Sequence, residues 1–123
     1  MAYGQTNLQA MIQEDLEKMK GRLNPVKAGF LEKRGIKKVS PTQLHVNPAD
    51  EFSFPSIGPN LAIVENYSSL ARRQYSMGDL VFEEPLQVNK LSQGGYLILN
   101  GHHRWAGAIR ACVPTIRIKI IDP

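Results

Sequence analysis

Cysteine is nearly missing from this chain: Cys112 stands alone, which excludes an internal disulfide and a cysteine-built zinc set. A single thiol without a bridge suits a reducing compartment. Long apolar runs are missing too. No extended hydrophobic segment follows basic residues at the N-terminus, so neither a secretory leader nor a membrane span is expected, and a cytoplasmic protein is the default. There is also no block of five or more basic residues. The densest cluster, Lys33, Arg34, Lys37 and Lys38, is broken by Gly35 and Ile36 and reads as a solvated surface. The net charge of +4 nevertheless favours anionic partners. Repeats and low-complexity tracts are absent. Histidine is scarce: His102 and His103 are adjacent and diverge on any regular element, and His45 lies far away on an early strand, so no metal set is expected. With 123 residues and 42% hydrophobic content, the chain can build one modest core.

What is present concentrates between Tyr96 and Arg110. Tyr96–Leu99 is an apolar run too short for a helix and bounded by turn residues, which predicts a buried strand. Asn100-Gly101 is a turn dipeptide, because glycine accepts positive φ freely and asparagine tolerates it. From His102 onward, Trp105, Ala108, Ile109 and Cys112 recur at helical spacing, which predicts a helix over 102–112 with Cys112 in the core. A thiol in such a place is inert. A strand, a glycine turn and a helix start direct free backbone N–H groups and the positive end of the helix dipole at whatever lies over the turn. His102, His103 and Arg104 add three side chains able to donate to phosphate oxygens. Asn100, Gly101, His102, His103 and Arg104 are therefore the candidate phosphate cradle, with His103 and Arg104 also candidates for catalysis. Two bland alternatives remain: His102 bonding within its own turn, and Arg104 pairing with Asp79, Glu83 or Glu84.

The same residues carry a resemblance. Leu99-Asn100-Gly101-His102-His103-Arg104, then Ala106 and Ala108, then Val113-Pro114 and the strand Ile116–Ile121, resemble the closing motif of the ParB/sulfiredoxin superfamily. Upstream pieces match in order: Val39–Leu44, Asn47–Phe52 and Glu84–Val88. The ordered set covers roughly the last two-thirds of the chain and is more specific than any one piece. The resemblance implies a nucleotide-binding domain that hydrolyses or transfers a phosphoryl group on a nucleoside triphosphate with Mg²⁺. It equally names the other class, a nucleic-acid-binding module or ParB-like nuclease, in which the cradle grips a DNA backbone phosphate. Free-serine kinases of the superfamily place an acidic base near Asp50-Glu51; Glu51 is taken as the catalytic candidate and Asp50 as solvated, with Glu83 and Glu84 as a rival pair. Sulfiredoxins carry a reactive cysteine directly before their His-Arg pair, where this chain has Gly101-His102, which disfavours sulfinic acid reduction. The partitioning members add a helix-turn-helix domain after this fold; none follows the last strand here, and a stand-alone form is expected.

The remaining segments give an α+β expectation: a small mixed sheet with helices, preceded by a helical extension. Leu8, Met11, Ile12, Leu16, Met19 and Leu23 form one apolar stripe of a first helix. That stripe must be covered, by its own domain or by a second copy in a homodimer. Asn24-Pro25 reads as an N-cap and first helical position, predicting a second short helix over 26–34 that stops at Gly35. Ile36–Val46 predicts the first strand, broken by Pro41, and 47–60 a loop. Leu61–Met77 predicts a helix closed by Gly78. Val81–Phe82 and Leu86–Val88 predict short strands, Gly94-Gly95 a hairpin turn, and 115–121 the last strand. The expected organisation is an N-terminal helical extension over 1–35 and a ParB/sulfiredoxin-like domain over 36–123.

Overall fold

The computed structural model describes residues 8–123. Its helices are α1 (Leu8–Lys18), the short α2 (Phe30–Lys33), α3 (Leu61–Ser76) and α4 (His102–Ala111). The strands are β1 (Pro25–Val26), β2 (Lys37–Val39), β3 (Leu44–His45), β4 (Leu86–Leu91), β5 (Tyr96–Asn100) and β6 (Ile116–Ile120). They form one mixed sheet in the order β2-β6-β4-β5-β3, with β1 pairing the far end of β4. Pairings β2–β6 and β4–β5 are antiparallel, whereas β4–β6 and β3–β5 are parallel. The fold is α+β, as the residue patterns imply.

Pro41 divides the first strand signal in two, and its halves go to opposite edges of the sheet. Pro41 cannot donate to a strand ladder, so Pro41–Gln43 becomes a 3₁₀ turn capped by Ser40, whose Oγ accepts from Thr42 N. The main core lies between the sheet and the α3–α4 pair, built from Leu44, Val46, Val64, Leu86, Val88, Ile98, Trp105, Ile116 and Ile118, among others. Trp105 brings its indole N–H to the Pro41 carbonyl at 2.9 Å, so the buried ring keeps its polar edge satisfied. Gly107 sets how closely the two helices approach. A Cβ there would lie 2.7 Å from Tyr67 Cβ and 2.9 Å from Ser68 N.

The apolar stripe of the first helix is covered by its own chain. Leu8, Met11 and Ile12 enter the main core, and Met19 joins Leu91 and Leu97 in a second cluster. Asp15, on the same helix, accepts from the His45 ring at 2.9 Å and from Val46 N at 2.8 Å, tying α1 to β3. The described part of the stripe is thus packed within this chain. The share of the expected extension on residues 1–7 lies outside the described residues.

Three local expectations are corrected. Pro25–Val26 does not open a helix; it pairs with Lys90 and Leu91 as a strand, and the helix begins only at Phe30. Val81–Phe82 is a bend, because Arg117 takes the Phe82 and Glu83 carbonyls and Phe82 adopts φ 62°. Cys112 is exposed rather than in the core: it caps α4 at φ 59°, and Val113 takes the buried place instead. Among the described residues no helix is long and apolar enough to cross a membrane.

Candidate functional site

The site is built at the junction of β5 and α4. β5 delivers Asn100, Gly101 turns the chain at φ 113°, and α4 begins at His102. Only glycine fits that corner, because a Cβ would lie 2.6 Å from Leu86 Cγ and 3.0 Å from an Arg104 nitrogen. The first turn of α4 leaves the N–H groups of His102, His103 and Arg104 without helical acceptors. Over this turn opens a cavity of about 690 Å³, within the range of small-molecule sites. Asn100, Gly101, His102, His103 and Arg104 all line it, and so do Asp50, Glu83 and Glu84. Tyr67, Phe82, Ile63 and Leu70 supply an apolar wall.

The two histidines are acceptors rather than phosphate donors at Nε2. His102 Nε2 accepts from Asn47 N at 3.1 Å, and His103 Nε2 accepts from Asn60 N at 3.0 Å. Each neutral ring therefore carries its hydrogen on Nδ1. Phe52 packs against both, with centroids 5.2 and 5.1 Å away. Burial pushes the His102 imidazole down to about 4, the Asp50 carboxylate opposing and His103 adding a lesser push. Burial also lowers His103, again against Asp50. Both rings are neutral at pH 7, and they clamp the two ends of the 47–60 loop onto α4. His102 Nδ1 lies 3.6 Å from Asp50 Oδ2, too far for a direct hydrogen bond.

Among the described residues, Arg104 is then the one cation lining the cavity. Its Nη1 donates to the Glu84 carbonyl at 2.6 Å, a backbone partner and not one of the carboxylates considered from sequence. A guanidinium has five donors, so others remain for an anion. Glu51 is exposed and does not line the cavity; the neighbouring Asp50 does. The reason is local: Asp50 caps the 3₁₀ turn Glu51–Ser53, its Oδ1 accepting from Phe52 N at 2.9 Å, which turns Glu51 outward and Phe52 into the core. That Asp-x-Phe capping pattern was the available signal. For the apolar wall no sequence signal existed, since Tyr67 and Phe82 meet only in the fold.

The charge balance shapes what the cavity can do. Three carboxylates line it against one guanidinium, so an anion entering alone meets repulsion, while an anion carrying a divalent cation does not. Asp50, Glu83 and Glu84 offer the hard oxygen donors that Mg²⁺ takes. Among the described residues no group of three His, Cys, Asp or Glu side chains is placed to hold a metal ion unaided. Such an ion would arrive together with the phosphates.

No family model matches the chain, and no curated protein does. Solved structures do match. The C-terminally truncated chromosome-partitioning protein ParB from Caulobacter crescentus, complexed with CTP-gamma-S, is 24% identical with a TM-score of 0.56 over 72% of this chain and 45% of that one. The same protein complexed to the centromeric parS site gives 23% and 0.54 over 70% and 40%. Sulfiredoxin from Arabidopsis thaliana gives 19% and 0.53 over 72% and 86%. The chain therefore has a ParB/sulfiredoxin-like fold, and it spans less than half the length of the ParB chains it matches.

Proposed function

We propose that the protein binds a nucleoside triphosphate with Mg²⁺ in the cavity over Gly101 and hydrolyses it or transfers a phosphoryl group. The observation carrying this reading is the left-handed Gly101 corner, which brings the α4 N-terminus and Arg104 into the lining of a cavity that three carboxylates also line. The ParB neighbour complexed with CTP-gamma-S supports the same use of the fold. The α4 N–H groups and Arg104 hold phosphate oxygens, and Arg104 opposes charge building on the transferred group. Asp50, Glu83 or Glu84 would contribute oxygen ligands to Mg²⁺ arriving with the nucleotide, which would supply charge neutralisation at the phosphates. Asp50 replaces Glu51 as the group that takes the proton of an attacking hydroxyl, because it lines the cavity and Glu51 does not. His102 and His103 orient the Asp50 loop, and His103 is a positioning residue rather than a proton carrier. Residues 36–123 form the nucleotide-binding domain in this reading, and residues 1–35 an extension whose described part shares its core. A cytoplasmic setting supplies the nucleotide.

The ParB neighbour complexed to parS favours a second reading, in which a DNA backbone phosphate sits in the cradle. Bare backbone phosphate is repelled by the acidic lining, so we rank it second. Isothermal titration with the four ribonucleoside triphosphates, with and without Mg²⁺, separates the two. Mg²⁺-dependent binding is expected, weakened roughly tenfold to a hundredfold in Arg104→Ala, as for loss of a charged hydrogen bond worth about 1.5–3 kcal/mol. Unchanged affinity in Arg104→Ala, or DNA binding that falls steeply with salt where nucleotides do not bind, overturns the first reading.

A further inference from the structure

β5 has a second end. Where the first delivers Asn100 to the cavity, the hairpin turn before Tyr96 faces the start of β3 and the last turn of α1, and these enclose a hollow of about 270 Å³. His45 lines it with a side chain only 9% exposed, its Nδ1 held 2.9 Å from Asp15 Oδ1. The carboxylate orients the ring and places a hydrogen on Nδ1. The other nitrogen, Nε2, has no partner among the described residues. Gly95 keeps the space before it open: a Cβ there would lie 2.9 Å from Nε2 and 3.1 Å from the Gln43 carbonyl oxygen.

Charge distinguishes this hollow from the cavity at the other end of the strand. Lys18 and Arg22 line it, and no carboxylate does. Asp15 lies behind His45, with both oxygens already used by the His45 ring and Val46 N. Lys33 and Lys90 are paired with Asp122 and Glu32, whereas Lys18 and Arg22 have no such partner among the described residues. Two unneutralised cations and an oriented imidazole nitrogen thus converge on one small space.

We propose that this hollow is a second binding site, taking the phosphate group of a small phosphomonoester. Lys18 and Arg22 match the two charges of the dianion. One proton shared between His45 Nε2 and a phosphate oxygen makes the third contact, whichever partner carries it. Arg22 supplies a planar fork and Lys18 a point charge, a combination suited to a tetrahedral oxyanion. Free phosphate prefers this end of β5, and a metal-bound nucleotide the other.

The test is a titration with inorganic phosphate in EDTA, followed by the imidazole resonances of the three histidines in NMR, with chloride at matched ionic strength as control. The His45 resonances shift to saturation while those of His102 and His103 stay in place. Lys18→Gln combined with Arg22→Gln, both exposed and dispensable for folding, weakens the affinity roughly tenfold or more. Arg104→Ala leaves it unchanged. Methyl phosphate in place of inorganic phosphate binds at least as tightly. A His45 response no larger than the chloride control, an unchanged affinity in the double variant, or exclusion of methyl phosphate overturns the proposal.

Discussion

The imidazole of His102 is asked to stay uncharged, and that has a measurable cost in acid. In the folded state burial holds it at about 4 from an ordinary value of 6.5, so the unfolded chain binds the extra proton first as pH falls. Stability is therefore full above pH 6.5 and declines between about 6.5 and 4, by on the order of 3 kcal/mol for this group. Urea unfolding at pH 7, 5.5 and 4 measures it, and His102→Gln, whose side-chain oxygen can accept from Asn47 without titrating, should flatten the decline. Equal slopes in the two proteins would show the ring is not buried neutral. Cys112 makes the opposite case, a residue whose burial costs nothing because there is none. Its thiol should alkylate quickly in the native protein with nucleotide affinity unchanged. Since its φ of 59° suits glycine, Cys112→Gly should raise stability by up to about 1 kcal/mol and Cys112→Val lower it, both readable in thermal melts.

At the scale of elements, α3 packs tightly against α4 at Gly107. Gly107→Ala drives a methyl into the Tyr67–Ser68 backbone and should cost about 1–3 kcal/mol. Because Tyr67 also lines the cavity, nucleotide affinity should fall in the same variant, while the melting temperature alone would fall if α3 moved without changing the site. The same two helices show why some elements were legible from residues and others were not. α3, α4, β5 and the Asn100-Gly101 turn follow from local spacing and backbone preference, information carried within a dozen neighbours. β1 is two residues long, and what makes Pro25–Val26 a strand is Lys90–Leu91, far along the chain. Val81–Phe82 has strand-forming side chains, yet Arg117 from β6 takes the carbonyls a ladder would use. The candidate site divides likewise. Gly101 and Arg104 could be picked from the motif, but the acceptor role of the histidines needed the positions of Asn47 N and Asn60 N. Asp50 rather than Glu51 lines the cavity because one cap bond decides which of two adjacent carboxylates faces inward.

Across the whole molecule, the two ends of β5 carry opposite charge, so one strand presents an acidic hollow and a basic one to solvent. Another feature concerns order in time. β6 lies between β2 and β4, pairing Val39 with Ile116 and Val88 with Ile120. On a ribosome, β2 is made early and has no neighbour until the last strand emerges, and β4 waits with one flank open. The nascent domain therefore holds unpaired strand edges until β6 is made and then closes the sheet in a single insertion. Long-range closure of this kind is slow relative to local pairing. Removing residues 116–123 should abolish cooperative unfolding rather than trim stability, and stopped-flow refolding should show β2 amides gaining protection together with those of β6. A chaperone that shields strand edges would find its window here, after Leu91 and before Ile116.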